Sequence, residues 1–274
     1  MSRRTGFMVA ALLAGIVSAG PAVAGTVVLG SDDFNRADAA NLGASWGYFS
    51  NEGNPFASVL YEQDDPTAGV VDNLVYPIDP PDDHTDVPDD NNDNATMQFR
   101  AYYKDYELFS GTPAPTSITV EAEVRNGSWD GLIMHQYVNH PDWEVHAGYL
   151  RYTFQTVYRN TPGDPYGGMR IQKMSSVTEA GGVANYNVEP LKALSNDTWV
   201  RLRATSDNAG HFTFKVLSLD GLTEYGSLSY TDESFDAFWW AGGYAGISLE
   251  YGRMDNFKIT GEVHPTPGTV IVVR

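Results

Sequence analysis

The sequence predicts an all-β protein that folds as a two-sheet antiparallel sandwich of the jelly-roll type. Two observations lead to this prediction. Short segments that alternate apolar and polar residues recur along the chain, and turn-forming residues separate them. Beyond residue 24, no segment of useful length has helical periodicity. Many short strands at this spacing are typical of sandwiches and jelly rolls.

The first clear strand covers residues 117–125, where apolar and polar residues alternate strictly. It is followed by Asn126 and Gly127, a pair that strongly favours a tight hairpin turn. The next segment, 131–138, is therefore the expected hairpin partner of the first. In this partner, Ile133, His135 and Tyr137 are expected to share one face.

Three further segments supply the later strands. Residues 199–206 and 211–217 alternate in the same way, and residues 243–260 provide the last one or two strands. The residues expected to face the core in the strictly alternating strands are Ile118, Val120, Ala122, Val124, Val200, Leu202, Ala204, Phe212, Phe214 and Val216.

The N-terminus predicts secretory export. Arg3 and Arg4 precede an apolar stretch that is too short to span a bilayer comfortably, and Ala22 and Ala24 form a small-x-small cleavage pattern. Cleavage would make Gly25 the first residue. We expect a signal peptide at 1–24 and a secreted, periplasmic or cell-surface location, with no transmembrane span after cleavage.

The composition excludes several classes of partner and chemistry. The chain has 17 Lys and Arg against 35 Asp and Glu, a net charge of −18 that becomes two units more negative when Arg3 and Arg4 are removed. Nucleic acids and anionic membranes require basic surfaces, so we expect neither as a partner. With no cysteine, the exported chain has neither disulfides nor thiolate chemistry.

One acidic segment interrupts the strand pattern. Residues 62–93 carry Glu62 and ten aspartates, and the Pro- and Asp-rich part from 77 to 94 is unsuited to a core strand. Two interpretations stay open, a solvated surface loop and a cation-binding loop. An EF-hand is excluded, because Asn94 and Arg100 stand where that loop needs Gly and Glu.

We therefore expect one domain at 25–262, with an acidic insertion at about 62–94 and a C-terminal tail at 263–274. The tail begins with Pro265-Thr266-Pro267-Gly268 and continues with apolar residues. It is similar to the start of a surface-sorting tail of the Pro-Glu-Pro type, but the long apolar helix and terminal arginines of such tails are missing.

Both ends of the expected domain resemble a known family. The segment DDFNRADAANLGASW at 32–46 is similar to the first strand of extracellular concanavalin A-like, or laminin-G-like, jelly rolls, and GYAGISLEYGRMDNFKIT at 243–260 resembles their closing strand. Segments 131–149 and 194–216 resemble the family's middle hairpin and its tryptophan-then-arginine strand pair. The resemblance covers most of residues 31–260.

This resemblance implies that the first and last strands of the domain lie next to each other at the edge of a sheet. Phe34 and Phe257 would then pack into the core, and Trp46 would cover the edge. Asp33 and Asp255 would lie close together and, as in related jelly rolls, could help to bind a structural calcium ion. The alternative is that both carboxylates accept backbone N–H groups at strand ends.

Jelly rolls of this class commonly bind glycans on a concave sheet, which calls for aromatic faces and paired polar groups. Aromatic residues cluster between 137 and 166, with histidines, arginines and Lys173 nearby. The candidate ligand-binding residues are Tyr137, Trp143, Tyr149, Arg151 and Tyr158. For any single member of this set, packing in the core or at an edge is the competing role.

The same residues leave an enzymatic alternative open. The Glu-x-Asp-x-x-Glu strand of retaining jelly-roll glycosidases does not occur in the sequence. A β-eliminating lyase acting on uronic acid polysaccharides would use His135 and Tyr149 for proton transfer and Arg151 to neutralise the substrate carboxylate. The order of His135 and Gln136 differs from the strand pattern of jelly-roll alginate lyases.

Three functional hypotheses follow. The first is a secreted, calcium-stabilised module that binds carbohydrate on an extracellular or cell-surface polysaccharide. The second is a polysaccharide-degrading enzyme on the same fold, most plausibly a lyase. The third is a structural, envelope-associated protein without a small ligand.

Overall fold

The structure of this chain is a computed structural model. It describes residues 25–36, 42–48, 68–71, 74–77, 99–125, 130–136, 151–157, 168–174, 183–186, 190–191, 194, 198–235, 243–249 and 253–264. The expected signal peptide lies outside these ranges, and so does almost all of the C-terminal tail. Within these ranges, no helix has the length and apolar character needed to cross a membrane.

The described residues form fifteen strands that are joined into two sheets. In chain order the strands are β1 (Gly25–Asp32), β2 (Trp46–Tyr48), β3 (Ala68–Val71), β4 (Leu74–Pro77), β5 (Phe99–Glu107), β6 (Ser117–Arg125), β7 (Asp130–Gln136), β8 (Arg151–Val157), β9 (Gly168–Met174), β10 (Val183–Tyr186), β11 (Trp199–Ser206), β12 (His211–Leu217), β13 (Glu224–Thr231), β14 (Tyr244–Leu249) and β15 (Arg253–Val263).

The first sheet has the strand order β13-β12-β11-β6-β15-β4-β3, with β1 also paired to β15. The second sheet has the order β10-β9-β8-β7-β14-β5-β2. All pairings are antiparallel. The predicted fold class, an all-β, two-sheet antiparallel sandwich, is confirmed.

The core lies between the two sheets and is filled from both sides by alternating residues. On β6 and β11, buried and half-buried residues alternate without interruption, as the sequence pattern predicted. Phe212, Phe214 and Val216 on β12 are also buried. The second sheet contributes Leu132, Met134, Tyr152, Phe154 and Ile171 to the same core cluster.

The prediction that β6 and β7 pair with each other as a hairpin is wrong. β6 pairs with β11 and β15 in the first sheet, whereas β7 pairs with β8 and β14 in the second sheet. The chain therefore crosses from one sheet to the other between these two strands. An Asn-Gly pair favours a turn, but it does not specify whether the next strand pairs with the last one or packs across the core from it.

The terminal strands are neighbours, as the resemblance implied. β1 pairs with β15 from Gly25 opposite Val263 to Asp32 opposite Phe257. β15 is not an edge strand, because it also pairs with β6 and β4. Trp46 does not cover an edge: it is buried in the core, with its ring centroid 5.8 Å from that of Phe34 and 5.0 Å from that of Phe257.

Part of the interval expected to be an acidic insertion adds strands to the first sheet. β3 and β4 lie within residues 62–94 and pair with each other, and Val75 of β4 pairs with Met254 of β15. The Pro- and Asp-rich residues 78–94, including the possible cation ligands Asp89, Asn91 and Asp93, lie outside the described residues.

Candidate functional site

The face of the second sheet that points away from the core carries polar side chains. On β8, Tyr152 and Phe154 belong to the core cluster, so Thr153 and Gln155 point to the opposite side. On β9, Met169 and Ile171 belong to the core cluster in the same way. Arg170 and Gln172 therefore share the outer face with Thr153 and Gln155.

Strand pairing arranges these residues in two rows that cross six strands. The first, which we call the polar row, consists of Arg100, Ser248, Gly131, Gln155, Arg170 and Asn185. The second, the mixed row, consists of Tyr102, Gly246, Ile133, Thr153, Gln172 and Val183. Directly opposed residues in such rows have Cβ atoms about 4.5–5.5 Å apart, so the side chains of the paired residues Thr153 and Gln172 are close enough to contact one ligand together.

The polar side chains at the centre of these rows are buried. Ser248 is fully buried, and Thr153 and Gln155 are 2% and 3% exposed. The hydroxyl oxygens of Thr153 and Ser248 have no hydrogen-bond partner among the described residues. Buried polar groups are nearly always hydrogen-bonded, so these two hydroxyls mark hydrogen-bonding capacity that the described residues leave unused.

Two tyrosines lie at one end of the mixed row. Tyr102 and Tyr244 contact each other, with ring centroids 5.3 Å apart. Burial raises the pKa of both phenols, and the neighbouring Tyr244 and Glu107 raise the pKa of Tyr102 and Tyr244 respectively. Both hydroxyls therefore stay protonated at neutral pH and can donate hydrogen bonds.

Glycines make room for the Tyr102 ring. Its strand neighbours are Gly47 and Gly246. A Cβ atom at Gly47 would lie 2.3 Å from the Tyr102 ring, and one at Gly246 would lie 2.1 Å from the backbone oxygen of Ala101. Any side chain at these two positions would displace the ring or the strand.

His135, a candidate catalytic residue in the lyase hypothesis, lies inside the sandwich. Its φ of 54° and the register shift between β14 and β7 mark an irregularity in the strand. The side chain consequently points across the core, where Nε2 lies 2.9 Å from Oγ of Ser206 on β11. His135 and Ile133 thus do not share a face: Ile133 is buried outside the core cluster, whereas His135 contacts rings within it.

Aromatic rings surround the His135 imidazole. Phe109 stacks on it at 5.8 Å, and edge-on contacts come from Tyr152, Phe212 and Phe235. The hydroxyl of Ser206 also accepts the Asn208 N–H, at 3.3 Å, so it can donate to Nε2 of a neutral imidazole. A catalytic role for His135 stays a prediction, and its described contacts are those of a core residue.

A second polar network bridges the two sheets near His135. The Tyr152 hydroxyl donates to Oδ2 of Asp232 at 2.5 Å, and Lys173 Nζ lies 2.7 Å from the same oxygen. Ser234 donates to Oδ1 through its hydroxyl and its N–H. Lys173 also donates to Ser234 Oγ at 2.8 Å. The carboxylate is therefore saturated with donors although it is almost completely buried.

The pKa directions agree with this arrangement. Burial raises the pKa of Asp232, but the hydrogen bonds from Lys173, Tyr152 and Ser234 outweigh it, and the net pKa is lowered. Burial and the hydrogen bond to Asp232 raise the pKa of Tyr152 far above its ordinary value. The stable state is thus an ionised Asp232 with a protonated phenol.

The N-terminal motif builds a third network, around Asp32. Its carboxylate accepts the Phe34 N–H at 2.8 Å, the Trp46 indole N–H at 2.8 Å, and two guanidinium bonds from Arg36 at 2.7 and 3.0 Å. Arg36 also donates to the carbonyl oxygen of Leu42 at 2.7 Å. The acid that organises the motif is therefore Asp32, not its neighbour Asp33.

The predicted calcium ligands Asp33 and Asp255 lie in the same region. Burial raises the pKa of Asp255, the Asn256 N–H lowers it, and the carboxylates of Glu123, Asp33 and Asp32 raise it further. Asp33 accepts the Asn35 N–H at 3.1 Å. In the described part of the chain, no three acidic or histidine side chains converge on a common metal position.

Most predicted ligand-binding residues are not described. Tyr137, Trp143, Tyr149 and Tyr158 lie outside the described residues, and Arg151 is described only as the first residue of β8, opposite Met174. Their roles stay predictions. Sequence reasoning missed Thr153, Gln155, Gln172 and Ser248, although the alternation of β8 between aromatic and neutral polar residues was a usable signal.

Comparison with solved structures finds lectins of low overall similarity to this chain. No protein-family model and no curated protein sequence matches the chain. A lectin from Bauhinia forficata in complex with GalNAc is 11% identical, with a TM-score of 0.38 over 80% of this chain and 98% of that one. The Ca2+/Man3GlcNAc-bound exoplasmic/lumenal domain of VIP36 is 10% identical, with a TM-score of 0.39 over 63% of this chain and 79% of that one.

Lectin II from Ulex europaeus is 12% identical, with a TM-score of 0.35 over 60% of this chain and 82% of that one. The assignment of a two-sheet sandwich rests on the strand pairing of this chain itself.

Proposed function

We propose that this protein is a secreted carbohydrate-binding protein and that its ligand lies on the outer face of the second sheet. The observation that carries the proposal is the pair of buried hydroxyls of Thr153 and Ser248, which have no partner among the described residues and lie in rows that also hold Gln155 and Gln172.

The chemistry of this face suits sugar hydroxyl groups. The amide of Gln172 has two donors and an acceptor, and the Thr153 and Ser248 hydroxyls can both donate and accept. Tyr102 and Tyr244 add aromatic surface beside these groups, on which the C–H face of a sugar ring can pack. Neutral hydrogen-bonding groups next to aromatic rings favour a polyhydroxylated ligand over a purely apolar one.

Secretion is supported by the sequence alone. The charged start, apolar stretch and small-x-small pattern end directly before Gly25, which is also the first residue of β1. An exported protein meets polysaccharides of the envelope and the medium, which is where a glycan-binding surface would act.

The proposal is tested with protein recovered after export, whose first residue we expect to be Gly25 by mass spectrometry. The protein is passed through native gels that contain plant, algal or bacterial polysaccharides, and its retardation gives an affinity. We expect retardation by at least one polysaccharide, weakened by Tyr244→Ala and Gln172→Ala. Thr213→Ala, on the outer face of the first sheet, is the matched control. Retardation that is unchanged in both site variants, or no retardation at all, contradicts the proposal.

Thr153→Val separates binding from stability. The substitution keeps the shape of the side chain but removes a buried hydroxyl without a described partner, so the free energy of unfolding without ligand should rise by roughly 1 kcal/mol. Glycan affinity should fall about two- to tenfold, the equivalent of one neutral hydrogen bond.

The control is Thr205→Val on the first sheet, whose hydroxyl lies 3.1 Å from that of Thr119. Loss of this bond should lower the free energy of unfolding and leave glycan affinity unchanged. Urea unfolding and affinity gels measure both quantities. A loss of stability in Thr153→Val would show that its hydroxyl is already satisfied and would remove the main support for the site.

We also propose that Ca2+ binds beside Asp33 and Asp255, where burial and then the nearby carboxylates of Glu123, Asp33 and Asp32 raise the pKa of Asp255. Asp33 and Asp255 would provide oxygen ligands, and backbone carbonyls or water molecules would complete the shell. A bound cation would remove the repulsion that the ionised carboxylates exert on one another.

Asp255→Asn tests the calcium proposal through the direction in which it changes the free energy of unfolding, with and without Ca2+. A raised folded pKa means that ionisation of Asp255 costs folding energy, and this cost appears as the pH rises above the ordinary Asp value of about 4. In chelator at pH 7, the variant should therefore be more stable than the wild type by roughly 0.2–1 kcal/mol. Ca2+ should stabilise only the wild type. Equal stabilisation of both proteins in a thermal melt contradicts the site.

A further inference from the structure

We propose that the outer face of the second sheet binds an extended glycan chain of about four or more sugar units that lies across the strands, and not a mono- or disaccharide. This inference rests on the proposed glycan-binding function and names the class of its ligand. It follows from the distances between the groups that the ligand would contact. These groups are an aromatic pair, Tyr102 and Tyr244, and a polar pair, Thr153 and Gln172.

The strand order sets the separation of the two pairs. Tyr102 lies on β5 and Thr153 lies on β8, and the strands β14 and β7 lie between them. Both residues belong to the mixed row, so their backbone positions are three strand spacings, or about 14 Å, apart. Gln172 on β9 is one spacing further, at about 19 Å from Tyr102. A sugar unit in an extended chain spans roughly one strand spacing, so a ligand that contacts both pairs needs about four or more units.

The interval between the two pairs offers no polar side chain in the mixed row. Gly246 and Ile133 occupy this interval, and the Ile133 side chain is apolar and fully buried. The Tyr102 ring leans away from the interval, because it is Gly47 on β2 whose added Cβ atom would lie 2.3 Å from the ring. A single sugar can therefore contact the aromatic pair or the polar pair, but not both.

The two buried hydroxyls without a partner among the described residues lead to the same class of ligand. Ser248 lies on β14 and Thr153 on β8, with β7 between them. Ser248 is in register with Gln155, two residues along β8 from Thr153. Two strand spacings and two residues along a strand place these backbone positions about 12 Å apart. One sugar ring cannot form hydrogen bonds with both hydroxyls, whereas different units of one chain can.

The test measures affinity as a function of chain length. The polysaccharide that retards the protein most strongly in native gels is partially hydrolysed in acid, and oligosaccharides of defined length are separated from the hydrolysate. We expect a five-unit oligosaccharide to bind about tenfold or more tightly than a two-unit one in calorimetry, because only the longer chain contacts both pairs. The additional binding positions that a longer chain offers account for only a few-fold gain.

Two variants test whether both pairs contact the same chain. Tyr244→Ala removes one ring of the aromatic pair, and Gln172→Ala removes the amide of the polar pair. Each variant should reduce the advantage of the five-unit oligosaccharide to a few-fold, whereas Thr213→Ala on the first sheet should retain it. Cooperative unfolding in urea shows that each variant is folded. If Gln172→Ala fails this check, Thr153→Val replaces it.

Two results overturn the extended-chain class. One is a two-unit oligosaccharide that binds within a few-fold of the five-unit one. The other is a tenfold advantage that survives in a folded variant of either pair. Both results leave glycan binding itself intact, because the polysaccharide still retards the protein. Failure of every polysaccharide to retard the protein overturns both proposals.

Discussion

Replacement of Lys173 by methionine is expected to lower the free energy of unfolding by about 3–5 kcal/mol, because it leaves the buried carboxylate of Asp232 without its cation. The two side chains are 10% and 4% exposed, so water cannot replace the lost charge. Tyr152 and Ser234 would still donate hydrogen bonds, but these bonds stabilise an anion only in part. Equilibrium unfolding in urea, followed by tryptophan fluorescence, measures the change.

Two further variants identify the cause of the loss. Lys215→Met breaks the exposed pair with Glu224, whose side chains are 38% and 45% exposed, and should cost at most about 1 kcal/mol. The double variant Lys173→Met/Asp232→Asn removes both buried charges and should recover about half of the loss. If Lys173→Met and Lys215→Met had the same effect, the inner pair would not be a significant source of stability.

Asp32→Ala is expected to destabilise the protein by about 2–4 kcal/mol, because one carboxylate satisfies three different groups. The variant leaves the indole N–H of the buried Trp46 without its acceptor and removes the Asp32 carboxylate from the Arg36 guanidinium. It also removes the bond that fixes the Phe34 N–H, where the backbone has a φ of 51°. Non-glycine residues rarely adopt this conformation, so loss of the hydrogen bond that holds it should add to the destabilisation.

The adjacent acid provides the matched control for this experiment. Asp33 is exposed and accepts the Asn35 N–H, so in chelator, where the proposed Ca2+ ligand role is absent, Asp33→Ala should change the free energy of unfolding by no more than about 0.5 kcal/mol. Asp32→Asn keeps an acceptor but removes the charge, and an intermediate loss is expected. Equal effects of Asp32→Ala and Asp33→Ala would show that the motif is stabilised by its apolar contacts alone.

The adjacent acids Asp32 and Asp33 show what the sequence resemblance could and could not predict. The motif correctly predicted that Phe34 and Phe257 pack into the core and that the terminal strands are neighbours. It did not distinguish Asp32 from Asp33. The two differ in the side of the chain to which they point, and only the folded strand brings one of them to Arg36 and Trp46.

The candidate binding face was only partly foreseeable. The search for aromatic residues led to segment 137–166, which lies largely outside the described residues. The face that the structure describes depends instead on Thr153, Gln155, Gln172 and Ser248, which are common residues with no distinctive local motif. Their significance comes from strand register, which places them side by side, and from burial, which leaves two hydroxyls without a described partner.

The sequence by itself determined the strands of the first sheet and the direction of their side chains. β6, β11 and β12 alternate with period two, and this local pattern is sufficient to assign a buried and an outer face to each. Tertiary structure decided everything that depends on contacts distant in sequence. It placed β7 in the opposite sheet from β6, and it turned His135 into the core at a strand irregularity. It also brought Asp232 to Tyr152, a residue 80 positions earlier. Alternation is a property of neighbouring residues, whereas pairing, register and buried charge depend on which distant segments meet when the core closes.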